Sequence, residues 1–126
     1  HVPATYDGQR PWARQTWHGS AAGLHRVHRA VAGGRFPEAR THLERAFPGP
    51  LPAGVEAIGS KAGSLPGVLT LAFTVRWEDG RIGTAVLLAE EIDESLSTKA
   101  GELADLVLGP LLDPALLRKL ESSLVG

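Results

Sequence analysis

Val68 to Glu91 reads VLTLAFTVRWEDGRIGTAVLLAEE. Two apolar runs flank Glu78-Asp79-Gly80-Arg81. Asp-Gly is a favoured two-residue hairpin turn, since a type I′ turn needs φ > 0 at both central positions. The stretch therefore predicts an antiparallel hairpin over 68–91, with Glu78 opposite Arg81 as a cross-strand ion pair. Further out, this turn sets Trp77 against Ile82, Val75 against Thr84, Phe73 against Val86 and Leu71 against Leu88. Side chains alternate along a strand, so one face carries Leu69, Leu71, Phe73, Val75, Trp77, Ile82, Val86 and Leu88. That face is large, apolar and suited to a core. The other carries Thr70, Ala72, Thr74, Arg76, Gly83, Ala85, Leu87 and Ala89, which is little charge for a solvent face. A helix or a second copy of the chain is expected to pack closely on it. Thr70, Ala72, Thr74, Ala85, Leu87 and Ala89 form the candidate interface.

Helical patterns lie on either side of the hairpin. Residues 1–10 show no periodicity and read as a flexible arm, leaving 11–126 as a single α+β domain. Pro11 suits the first turn of a helix, and Gly19-Ser20 interrupts it, with Ser20 as N-cap. From Ala21 to Ala32, Leu24, Val27, His28 and Val31 recur at helical spacing, joined by Trp17 upstream. Gly33-Gly34 ends this helix. Pro37 opens the next, with Ala39, Leu43, Ala46 and Phe47 as its stripe, and Pro48, Pro50 and Pro52 stop it. Residues 21–47 thus read as a helical hairpin. Its joint, Gly34-Arg35-Phe36-Pro37-Glu38-Ala39, resembles the join between tetratricopeptide-like helices, where a glycine, an aromatic and Glu-Ala recur. That family builds peptide-binding grooves from repeated pairs, and this chain has one pair and no 34-residue repeat.

Residues 48–67 are rich in Pro, Gly and Ser. Val55 to Ile58 reads as a short strand, and Gly59-Ser60-Lys61-Ala62-Gly63-Ser64 as a flexible loop without P-loop spacing. Past the hairpin, Glu90, Glu91, Asp93 and Glu94 precede a helix over about 95–108, where they complement its dipole. Gly109-Pro110 is expected to break that helix, and Asp113-Pro114 to start a final one. Leu106, Leu108, Leu111 and Leu112 add more apolar surface than a small core needs. The fold class that results is α+β: an N-terminal helical hairpin, a small antiparallel sheet built on the central hairpin, and two C-terminal helices over its apolar face. So few strands leave open edges, and a homodimer that extends or stacks the sheet is expected.

Composition narrows the chemistry. A 126-residue chain with 43% hydrophobic and 21% charged residues is ordinary for a globular protein. The net charge of −1 gives no case for nucleic acid or membrane surfaces, and no apolar run approaches the length of a membrane span. With no cysteine, disulfides, thiolate metal sites and thiol nucleophiles are excluded. The absence of methionine, even at position 1, is expected of a processed protein or an excised domain. Three lysines against ten arginines, in an Ala/Gly/Leu-rich background, is usage associated with GC-rich bacterial genomes.

All five histidines precede residue 48. His18, His25, His28 and His42 are the candidate metal or haem ligands, since neutral imidazoles at such helical spacing bind zinc, copper or nickel. Arg26 and Arg29 between them disfavour a cation. Charge is lopsided: residues 1–47 hold seven arginines and three acids, net +4, and residues 48–126 hold six bases and eleven acids, net −5. The split fits an anionic partner, head-to-tail self-association, or two faces that attract each other within the fold. No Gly-x-Ser-x-Gly, His-Glu-x-x-His or Gly-x-Gly-x-x-Gly motif is present, so no catalytic residue and no cofactor is assigned. The leading expectation is a non-enzymatic, cytoplasmic protein–protein interaction module that self-associates. The alternatives are a small-molecule or metal-binding domain built on the N-terminal histidines with Trp12, Trp17 and Trp77, and a small enzyme whose site is not visible in sequence.

Overall fold

The computed structural model describes residues 4–15 and 18–125; His1 and Trp17 lie outside them. Its centre is a three-stranded antiparallel sheet, β1 (Val55–Leu65), β2 (Val68–Trp77) and β3 (Ile82–Glu90), in the order β1-β2-β3. Helices α1 (Tyr6–Ala13), α2 (Ala21–Ala32) and α3 (Pro37–Arg45) precede it, and α4 (Glu94–Ser97), α5 (Ala100–Leu112) and α6 (Pro114–Val125) follow. The fold is α+β.

The hairpin forms where the sequence places it, but one residue out of the expected register. Arg76 pairs with Ile82, Val75 with Gly83, Phe73 with Ala85 and Leu71 with Leu87. The cause is the turn. Among the described residues Gly80 has φ +91°, whereas Asp79 is not among the residues of positive φ, so type I′ is ruled out. Gly80 N–H donates to the Trp77 carbonyl at 3.0 Å, and Trp77 N–H to the Arg81 carbonyl at 3.0 Å. This is a three-residue loop, a type I turn closed by a left-handed glycine bulge. Asp79 reinforces it by accepting from Arg81 N–H at 3.1 Å and from Arg81 Nε at 2.7 Å. The expected Glu78–Arg81 pair is thereby replaced by Asp79–Arg81.

A slip of one residue exchanges the faces of β3 relative to β2. Leu69, Leu71, Phe73 and Val75 therefore share their face with Ala89, Leu87, Ala85 and Gly83. This apolar face holds the core cluster of Val55, Ile58, Leu69, Leu71, Phe73, Val75 and Ile92, and α5 packs on it through Leu103, Val107 and Leu111. The opposite face, with Thr70, Ala72, Thr74 and Arg76 beside Leu88, Val86, Thr84 and Ile82, is covered as well. There α2 lies over β2 and β3, and α3 over β1. Helices thus cover both faces, and the close packing expected on the second face comes from the N-terminal helices. Helix α6 rests on α5.

Several local expectations change. Residues 59–65 continue β1, pairing Gly59 with Thr74 and Gly63 with Thr70, so no Gly/Ser/Lys loop exists. A Cβ at Gly59 would stand 2.5 Å from Thr74 Oγ1, and one at Gly63 2.9 Å from Thr70 Oγ1. The glycines are required by close approach, not by loop flexibility. Helix α1 starts at Tyr6, not Pro11, because Thr5 caps it by accepting from Gly8 N–H at 3.1 Å. Helix α2 begins and ends as its signals predict, with Ser20 Oγ accepting from Gly23 N–H at 3.0 Å. The helix expected over 95–108 is two: Asp93 caps short α4, and α5 then runs through Pro110 to Leu112. Proline costs α5 one i→i−4 bond, that to Leu106, an exposed residue. Asp113 then caps α6 with its carboxylate on Ala115 N–H at 2.9 Å.

Candidate functional site

The histidines are not gathered. His25 and His28 lie one turn apart on α2, both half-buried, while His42 is exposed on α3. His18 precedes α2 and donates from Nε2 to the Arg14 carbonyl at 2.9 Å. Among the described residues no three His, Asp or Glu side chains come together in a way that would hold a metal ion. Burial against the fold lowers the pKa of His28 below its ordinary 6.5. Trp12 is exposed on α1, and Trp77 packs on the core, with the Arg81 guanidinium 4.8 Å above its ring.

The six residues expected as one interface lie on two faces. Thr70, Ala72 and Thr74 face the N-terminal helices, with Ala72 and Thr74 buried there. Ala85, Leu87 and Ala89 face the other way, opposite Phe73, Leu71 and Leu69. The one-residue register slip separates them.

The charge split is partly used within the molecule. Arg76, reaching out from β2, donates to both carboxylate oxygens of Glu44 on α3, at 2.6 and 3.1 Å, and meets Glu56 at 3.0 Å. Bonding to Glu44 raises the Arg76 pKa further, and the planar fork of arginine suits this bidentate contact. Arg14 pairs with Glu91 across 77 residues of sequence. Arg26 on α2, Arg35 in the connection between the helices and Arg45 at the end of α3 are exposed.

Sequence reasoning missed a cavity of about 610 Å³ between the end of α1, the start of α2 and the lower sheet. Its walls are apolar at Ala13, Leu24, Val68 and Leu88, and Arg10, Arg14 and His18 stand along it with Glu90 and Glu91. Tyr6 secures the neighbouring turn: its hydroxyl accepts from Gly67 N–H at 2.9 Å and donates to the Ile92 carbonyl at 3.4 Å. Glu91 is the only non-glycine of positive φ among the described residues, at 57°. Nothing in the local pattern marks this site, because its walls come from three separated segments.

The C-terminal helices present the other notable surface. No residue of α5 or α6 is fully buried among those described, and Leu106, Leu116, Leu117, Leu124 and Val125 are exposed. No helix among the described residues is long and apolar enough to cross a membrane. No protein family, curated protein or solved structure matches this chain significantly.

Proposed function

We propose that this domain is a non-enzymatic protein–protein interaction module, an accessory, adaptor or regulatory domain, with the outer side of α5 and α6 as its contact surface. The observation behind it is exposure. Leu106 is 55% and Leu124 78% exposed, and half of the ten exposed large apolar residues among those described fall on these two helices. Exposed apolar side chains concentrated on one part of a surface are a mark of interaction sites. The reading takes the module as bacterial, on its arginine-over-lysine usage.

The test is the variant Leu106→Gln/Leu124→Gln. Side chains kept for a partner contribute little to the free fold, so its Tm stays within about 2 °C of the parent. Its binding of an apolar dye such as ANS falls. A loss of Tm like that of a core truncation would end this reading.

A second reading, small-molecule binding, rests on the 610 Å³ cavity, a volume typical of ligand sites. It predicts that a small amphipathic carboxylate raises Tm and that Arg10→Ala removes the effect.

A further inference from the structure

The two edges of the sheet are built differently. Strand β1 is guarded: it carries a bulge between Val55 and Ala57, and Lys61 Nζ donates to the Ala62 carbonyl at 2.8 Å. Bulges and lysines blunt an edge against pairing with other strands. Strand β3 carries neither. Ile82 to Ala89, IGTAVLLA, has no charge and no proline, and its register with β2 runs without a shift.

The direction of its free groups follows from the turn. Trp77 N–H bonds the Arg81 carbonyl, so 77/81 is a hydrogen-bonded pair. Bonded and non-bonded pairs alternate along an antiparallel ladder. Gly83, Ala85, Leu87 and Ala89 therefore turn their N–H and C=O groups towards β2. Ile82, Thr84, Val86 and Leu88 turn theirs outward. Arg29 Nη1 donating to the Ile82 carbonyl at 3.3 Å agrees with that direction. The edge is also reachable at its first end. A hollow of about 490 Å³ runs from Arg29 of α2, past Ile82 and Gly83, to Leu111 and Leu117 of α5 and α6. Since α2 and α5 lie on opposite faces, this hollow opens around the edge and the hairpin end.

Charge identifies the occupant. Arg29 and Arg81 stand at the first end of β3, and Glu90 and Glu91 at the last. A second β3 laid antiparallel about a two-fold axis at Val86 pairs Thr84 with Leu88 of the other copy and Ile82 with Glu90. Glu90 then meets Arg29 on the side of the sheet that α2 covers, because even-numbered positions of β3 share that face. Parallel pairing would set like charges together.

We propose that two copies of this chain join through the open edge of β3, antiparallel about Val86, into one continuous six-stranded sheet with Arg29–Glu90 contacts at both ends. The proposal rests on the interaction-module reading and names a second copy as partner, through a surface separate from α5–α6. About ten backbone hydrogen bonds close the joint.

The experiment combines sedimentation velocity with amide exchange on the full chain. Arg29→Glu and Glu90→Lys, both at exposed positions, each raise the dimer dissociation constant about tenfold. The double variant returns it to near the parent value. In the dimer, the amides of Thr84, Val86 and Leu88 exchange about a hundredfold more slowly than in dilute monomer. Those of Ala85 and Leu87, bonded to β2, are slow in both. A chain that stays monomeric to millimolar concentration overturns the proposal. So does a dimer in which Thr84, Val86 and Leu88 exchange freely and charge reversal is silent. That second result leaves the α5–α6 reading standing, and the Leu106→Gln/Leu124→Gln variant decides it separately.

Discussion

The two faces of this sheet are both covered by helices, yet they are held by different forces. Under α5, contact is apolar: Ile58 and Val75 are fully buried side by side, with Leu71 and Phe73 next in line. Under α2 and α3, the sheet interleaves apolar Ile82, Val86 and Leu88 with glycines, threonines and one arginine, and cohesion adds close approach and the Arg76–Glu44–Glu56 cluster to apolar contact. Burial on the first face is non-directional and tolerates any well-shaped hydrophobe. Packing on the second is geometric, because a methyl group at Gly59 collides with Thr74 Oγ1. A β-sheet between helical layers can thus have one face chosen for area and the other for fit.

Substitutions rank the two faces. Leu71→Ala has the largest effect, about 3 kcal/mol in urea unfolding, from lost transfer energy plus the cavity left behind; a loss under 1 kcal/mol would deny that this face dominates. Gly59→Ala costs about 2 kcal/mol through overpacking, and the cost shrinks in a Thr74→Ala background. Equal costs in both backgrounds would mean that the 2.5 Å approach is not what requires glycine. Glu44→Ala costs about 1–2 kcal/mol by removing the bidentate partner of a largely buried guanidinium, while Glu56 remains to pair with it. Lysine at position 76 does not substitute, since an ammonium cannot form the fork.

The smallest effect is a pH slope on the α2 side. Burial disfavours charged His28, so its folded pKa lies below the unfolded 6.5. Stability is then full above about pH 6.5 and falls as pH drops towards the lowered value, because the unfolded chain takes up the proton first. His28→Gln flattens the stability profile below about pH 7. An unchanged slope would assign the dependence to another group.

Much of the architecture was legible because its signals are local. Ser20, Gly33-Gly34, Pro37, Asp113 and Pro114 mark helix ends through caps and fixed φ angles, and such chemistry acts within a few residues. The hairpin itself was legible from Asp79-Gly80 and two apolar runs. Its register was not. Whether Asp-Gly closes a two-residue or a three-residue loop depends on whether Asp79 takes φ > 0 or spends its carboxylate on Arg81, and both fit the same letters. That single choice decided which β3 residues face α5, and so divided the candidate interface between two faces. The histidine cluster failed for a related reason: sequence spacing places residues on helices but not helices on a sheet. The cavity beside His18 and the contrast between the edges of β1 and β3 were invisible, because each joins segments far apart in the chain.

By itself, then, the sequence determined an α+β class, a central hairpin, most helix ends and the absence of thiol chemistry, all consequences of short-range sterics and periodicity. Only the tertiary structure decided the register, the helix that covers each face, the strand status of Gly59 to Leu65 and the position of β3 at an edge of the sheet. Those depend on which distant groups satisfy each backbone N–H and C=O, and on how closely two surfaces can approach once they do.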